Sequence, residues 1–121
     1  MKNQATIFFQ NKVINVSGRN VTCRPLRNSE KIKLAAACAD VADDMSKKAK
    51  MGGLIARVCL VGIEGEIGEN GETFTTSRHP QLGEIATEQS YDALTPKETE
   101  MVMLVATGED VAEQTKEAEG N

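Results

Sequence analysis

Met51-Gly52-Gly53-Leu54-Ile55-Ala56-Arg57-Val58-Cys59-Leu60-Val61 decides the fold of this 121-residue chain, because its two halves pull in different directions. Paired glycines cost about 2 kcal/mol relative to alanine in a helix interior, so Gly52-Gly53 predicts a break or hinge. The apolar run 54–61 fits a buried helix or a buried strand, and is read as helix.

Before the glycines, the pattern is helical. Asn28 or Ser29 can cap a helix, Glu30 falls in its first turn where the dipole favours an anion, and lysines recur near Met51 at the other end. Leu34, Cys38, Val41 and Met45 recur at spacings of four, three and four, which predicts one apolar stripe. Ala35, Ala42 and Ala49 border it and would let another element approach closely. The stripe is read first as core. The other reading is a partner-facing groove made adaptable by flexible methionines, with Leu34, Cys38, Val41, Met45, Met51 and Met101 as the candidate binding residues.

The N-terminal region reads as strands. Ala5-Thr6-Ile7-Phe8-Phe9 and Val13-Ile14-Asn15-Val16 are short β-branched or aromatic runs, expected to pair as a hairpin. Ser17-Gly18-Arg19-Asn20 has turn composition, and Val21-Thr22-Cys23 before Pro25 is a possible third strand.

Beyond the decisive stretch, Gly62, Gly65, Gly68 and Gly71 recur every third residue with glutamates between them. A collagen-like helix would need a longer run and more proline. A calcium loop fails because Gly68 falls on a ligand position and Ser77 on the closing glutamate position. The remaining reading is an acidic, mobile loop with a tight turn at Asn70-Gly71, and Thr73–Thr76 as a short strand returning from it. Residues from Pro80 to about Leu94 carry a weak helical pattern, diluted by Gly83. Thr95-Pro96-Lys97-Glu98 is a complete helix start: Thr95 caps, Pro96 occupies the first turn, and Glu98 reaches back to close a capping box. Met101, Leu104 and Val105 are its expected inner stripe, and Gly108 its left-handed end. After Gly108 too little apolar surface remains to offset ordering entropy, so 109–121 is expected to be an acidic flexible tail. Residues 1–108 then form a single α+β domain, with an N-terminal β-hairpin or small antiparallel sheet packed against a mainly helical body.

Composition bounds the chemistry. The chain is 40% hydrophobic but only 3% aromatic, with no Trp, so its core must be aliphatic. No stretch reaches the roughly 18 apolar residues of a membrane span, and the start at Met1-Lys2-Asn3-Gln4 lacks a signal-peptide core. A cytoplasmic location is expected. Cys23, Cys38 and Cys59, odd in number and far apart, are expected to be reduced and mostly buried. With His79 they could arithmetically make four zinc ligands, but no close C-x-x-C pair is present. His79 itself, between Arg78 and Pro80, is expected in an exposed turn. No phosphate loop follows either glycine cluster, and glutamates in a glycine-rich loop are not held at a fixed separation. No enzyme centre, metal or cofactor is therefore expected.

The net charge of −4 conceals a polarity: residues 1–50 hold ten Lys or Arg against four Asp or Glu, residues 51–121 four against fourteen. Opposite ends of this kind can attract within one molecule or between copies stacked head to tail, which makes a homo-oligomer possible. The basic half also supports an alternative, nucleic-acid binding by Arg19, Arg24, Arg27, Lys31, Lys33 and Lys47, Lys48, Lys50, with Phe8 and Phe9 as possible stacking residues. The acidic remainder and the lack of a recognition motif count against it.

Taken together, the hairpin start, the stretch Val21-Thr22-Cys23-Arg24-Pro25-Leu26-Arg27-Asn28-Ser29-Glu30 leading into a helix, the Gly-Glu-Asn-Gly-Glu loop and the capped helix from Thr95 with its polar end resemble the tail assembly chaperones of long-tailed bacteriophages. The resemblance spans nearly the whole chain and carries no catalytic signature, so no single residue is assigned through it. It implies a non-enzymatic protein of the host-cell cytoplasm that coats the helical tape-measure protein and helps recruit tail tube subunits. It also implies a longer form made by a minus-one ribosomal frameshift, and Glu119-Gly120-Asn121 can be encoded GAG GGA AAC, which contains a slippery string.

Overall fold

The computed structural model describes residues 10–109. Strands β1 (Lys12–Ile14), β2 (Val21–Cys23) and β3 (Leu60–Ile63) form an antiparallel sheet with β2 in the centre. Val21 lies opposite both Ile14 and Ile63, and the pairing shifts by a bulge between Thr22 and Cys23. Strict alternation sends Val21 and Cys23 inward, fully buried, while Val13 on the other face is exposed. The expected pairing of Ala5–Phe9 falls outside the described residues; the strand that pairs with β1 is β2, across the predicted turn at 17–20, where Gly18 has a positive φ of 89°.

Helix α1 (Asn28–Ala37) is shorter than predicted. Its N-cap is Arg27 rather than the expected Asn28 or Ser29, and the Arg27 amide donates to the Glu30 carboxylate at 2.9 Å. The chain turns at 38–40, and α2 (Asp44–Cys59) starts afresh with Asp43 as N-cap, its carboxylate accepting from the Ser46 amide at 2.8 Å. The continuous helix expected to reach Met51 is thus two helices. The cause is packing: Leu34, Ala37 and Cys38 share a core cluster with Leu54, Val58 and Cys59, which only a chain folded back on itself can assemble.

The predicted break at Gly52-Gly53 is also corrected, because α2 runs through both glycines. Sixteen residues of helix that bury Leu54, Ala56, Val58 and Cys59 outweigh a propensity cost of about 1 kcal/mol per glycine. The run 54–61 is helical only to Cys59 and then becomes β3. A β-carbon at Gly52 would meet no heavy atom within 4 Å. Gly52→Ala should therefore stabilise the fold by about 0.5–1 kcal/mol, visible as a higher Tm.

The weak helix expected over 80–94 is instead a hairpin, β4 (Thr76–His79) with β5 (Gly83–Ala86), followed by the short helix α3 (Glu88–Asp92). Gly83 sits at φ 78° opposite His79, and the His79 Nδ1 accepts from the Gln81 and Leu82 amides at 3.1 and 3.3 Å. His79 is half-buried and pins this turn rather than lying in an open one. In the glycine-rich loop the turn at Asn70-Gly71 is present, closed by the Ile67 amide donating to the Glu72 carbonyl at 2.7 Å. Thr73 makes only an isolated bridge to Glu66, and the strand begins later, at Thr76.

Helix α4 (Pro96–Thr107) carries both halves of the predicted capping box and ends at Gly108 with φ 79°. It packs against α2, β1 and β2. Its buried residues are Glu98, Val102, Val105 and Ala106, so the inner stripe is rotated from the predicted one; Met101 and Leu104 are half-buried. The architecture is α+β. One core cluster joins the three-stranded sheet to α4 through Val21, Cys23, Leu60, Val102 and Val105, and the other joins α1, α2 and β5. Of the expected 109–121 tail, all but Glu109 lies outside the described residues. No described helix is long and apolar enough to cross a membrane.

Candidate functional site

The outer face of α2 carries a shallow groove of about 380 Å³ lined by Asp44, Lys47, Lys48, Met51, Gly52 and Ile55. These positions recur every three or four residues, so they form one continuous helix face. Met51 and Ile55 provide an apolar floor that continues inward to the core cluster of α1 and α2. Gly52 keeps the floor open, since it has no side chain and no neighbour over its Cα. The two lysines and Asp44 form a rim with an excess of positive charge. Met45, 80% exposed, follows Asp44 in the first turn of α2, and Ala42 and Ala49 are also exposed.

The six residues predicted to bind a partner are divided by the fold. Leu34 and Cys38 are each only 1% exposed and belong to the core, which corrects their assignment as binding residues. Val41 is half-buried in the α1–α2 turn, where its amide donates to the Cys38 carbonyl. Met101 is half-buried against the other core cluster, away from the rest. Met45 is exposed on α2, and Met51 is half-buried in the groove floor, packed against the core cluster of α1 and α2. Sequence reasoning missed Lys47, Lys48, Gly52 and Ile55 as members of this face. The signal was their i, i+3, i+4 spacing, hidden by taking the glycine pair as a break.

A second groove, about 460 Å³, lies between α2 and α3 and is lined by Lys50, Arg57, His79, Glu88 and Tyr91 among others. Its two basic groups are already engaged: the Arg57 Nε donates to the Ala86 carbonyl at 2.8 Å and its guanidinium lies 3.8 Å from Glu88, while Lys50 reaches Asp40 at 3.4 Å.

The strongest electrostatic feature is structural. Glu98 has no exposed side-chain surface, yet every oxygen is satisfied: Arg19 donates to it at 2.7 and 3.0 Å, Ser17 at 2.7 Å and the Thr95 amide at 2.9 Å. Hydrogen bonds from Arg19 hold the Glu98 carboxyl down at about 2 against the penalty of burial. The pair ties the 17–20 turn to the start of α4. Arg24 and Glu30 form a second bidentate pair at 2.6 and 2.8 Å. Burial alone would push the Glu30 carboxyl up, but Arg24 and the Arg27 amide outweigh it and keep it low.

These pairs change the reading of the basic N-terminal half. Arg19 is paired with the buried Glu98 and Arg24 with the part-buried Glu30, leaving Arg27, Lys31 and Lys33 exposed from that cluster. Phe8 and Phe9 lie outside the described residues. All three cysteines are buried and none is in a disulfide, and burial pushes the Cys59 thiol up to about 12. Among the described residues no group of three or more His, Cys, Asp or Glu could hold a metal ion. No protein-family model, curated protein or solved structure matches this chain.

Proposed function

We propose that this protein is a non-enzymatic tail assembly chaperone that binds an amphipathic helical client, a tape-measure protein, on the outer face of α2 and helps gather tail tube subunits around it. The observation that carries this reading is the α2 groove, with its apolar Met51–Ile55 floor, its glycine gap and its lysine rim. A helix with an apolar stripe and acidic flanks is complementary to it in shape and charge. Flexible methionines suit amphipathic helical clients whose side chains vary. The order of elements, which resembles phage tail chaperones, supplies the client's identity.

The test is co-expression with a tape-measure fragment encoded beside the gene. The expected result is a soluble complex that survives purification. Lys47→Glu with Lys48→Glu should weaken it at least about tenfold without unfolding the chain, because both charges lie on the rim of the groove. An insoluble tape measure in the presence of the folded protein, or retention of the protein on heparin with no client bound, would refute the proposal and favour nucleic acid.

A further inference from the structure

We infer that the groove between α2 and α3 is a binding site for a small organic anion, held by its carboxylate or phosphate on the Arg57 guanidinium. The site lies on a different face of α2 from the Met51–Ile55 groove and does not rest on the client reading. The observation that carries it is a comparison among three arginines of this chain. Arg19 grips the Glu98 carboxylate with two nitrogens, at 3.0 and 2.7 Å, and Arg24 grips that of Glu30 at 2.8 and 2.6 Å. Arg57 is set as deeply as Arg24, both side chains being 16% exposed, yet its terminal Nη groups make no hydrogen bond among the described residues. Its Nε donates to the Ala86 carbonyl, which holds the guanidinium in place. Glu88 stands 3.8 Å away, beyond hydrogen-bond reach, and is 82% exposed. A part-buried guanidinium whose fork is unmatched is complementary to an oxyanion, which can accept from two nitrogens at once.

The surroundings add donors and an apolar wall. Lys50, Gly53 and Arg57 follow at spacings of three and four, so they share one face of α2. His79 Nδ1 accepts from the Gln81 and Leu82 amides, so a neutral ring carries its proton on Nε2, where it is a donor. Neither that nitrogen nor the Tyr91 hydroxyl has a hydrogen-bond partner among the described residues. The Tyr91 ring lies over Gly53, 3.9 Å from where a β-carbon would stand, and with Leu54 it gives the groove an apolar side. The volume of about 460 Å³ is in the range of small-molecule sites and exceeds what an inorganic anion fills, so the ligand has an apolar body besides its charge.

Two carboxylates oppose binding. Glu88 and Asp92 lie four residues apart on α3 and both are exposed, so an anion enters against their repulsion. Lys50 is drawn towards Asp40 at 3.4 Å, but Asp40 is 79% exposed and surface pairs of this kind are worth little, so Lys50 can turn to a ligand. The affinity is therefore moderate, and Glu88, the carboxylate nearest Arg57, competes with the ligand for the same fork.

His79 is the only histidine and Tyr91 the only tyrosine, so two ring signals in nuclear magnetic resonance report on this groove alone. The full chain, isotope-labelled and without any client, is titrated at constant ionic strength with phenyl phosphate and with benzoate, and with inorganic phosphate and acetate as ringless controls. Both ring signals should shift together and saturate, with a dissociation constant on the order of 0.1–1 mM for the better probe and severalfold weaker binding of the controls. Tighter binding of phenyl phosphate marks the ligand as a phosphate ester, tighter binding of benzoate as a carboxylic acid. Glu88→Gln, at an exposed position, should tighten binding about threefold, and Arg57→Lys, which keeps the charge and loses the fork, should weaken it at least about tenfold. Lys47→Glu with Lys48→Glu should leave it unchanged. Shifts that grow without saturating, or that are the same in the parent, Glu88→Gln and Arg57→Lys proteins, would overturn the inference. Failure here leaves client binding on the other face of α2 untouched.

Discussion

Replacing Glu98 by alanine is expected to cost about 3–5 kcal/mol of folding stability, the largest effect of any single substitution outside the aliphatic core. The carboxylate is fully buried and receives four hydrogen bonds, two from Arg19 and one each from Ser17 and the Thr95 amide. Its loss removes the capping box of α4 and leaves the Arg19 guanidinium, 25% exposed and bonded also to the Ala93 carbonyl, without its counter-charge. The same group sets an acid limit. Its folded carboxyl titrates at about 2, below its ordinary 4.5, so the folded state binds fewer protons than the unfolded chain between those values. The stabilisation, about 3 kcal/mol, is complete above about pH 4.5 and is lost as pH falls towards 2; it does not vary between pH 6 and 8. Urea unfolding at pH 7 and pH 3 measures both effects. Glu98→Gln should be less stable at pH 7 and show a shallower acid slope, to which Glu30, held low by Arg24, and Asp43, held low by the Ser46 amide, still contribute. A Glu98→Ala protein as stable as the parent would mean that α4 is not anchored to the 17–20 turn.

Leu34→Ala is expected to cost about 2–5 kcal/mol, whereas Met45→Ala should change stability by less than about 0.5 kcal/mol. Both residues lie on the stripe that the sequence predicts, but Leu34 is 1% exposed among Cys38, Leu54 and Val58, and Met45 is 80% exposed. The pair of substitutions separates core from surface on one apparent helix face. Denaturant midpoints at unchanged m-value give the difference directly. Equal effects at the two sites would mean that α1 and α2 do not fold back on one another.

Local chemistry was legible in the residues, and tertiary decisions were not. The Thr95 cap, the Glu98 return bond and the Gly108 end depend on a few adjacent residues, and all three are present. The burial of Cys23, Cys38 and Cys59 was expected from their odd number and wide spacing, which fit no disulfide framework. Gly52-Gly53 misled because its propensity cost is local while the packing of Leu54, Ala56 and Val58 that overrides it comes from β5, α4 and the sheet. His79-Pro80-Gln81-Leu82-Gly83 did contain a readable hairpin signal, three loop residues closed by a glycine in the left-handed region, which the sparse helical spacing of Leu82, Ile85 and Ala86 obscured. Of the predicted binding residues, Met45 is exposed and Met51 half-buried on α2, while Leu34 and Cys38 are core, because the stripe is broken at the turn after Ala37.

Hydrogen exchange of the full chain, alone and with a tape-measure fragment, tests the central claim that this molecule works by offering the outer face of α2 to a helical partner. Added protection should concentrate in residues 44–55 and leave β1, β2 and β3 unchanged. Protection confined to the sheet, or none in the presence of a saturating fragment, would contradict it.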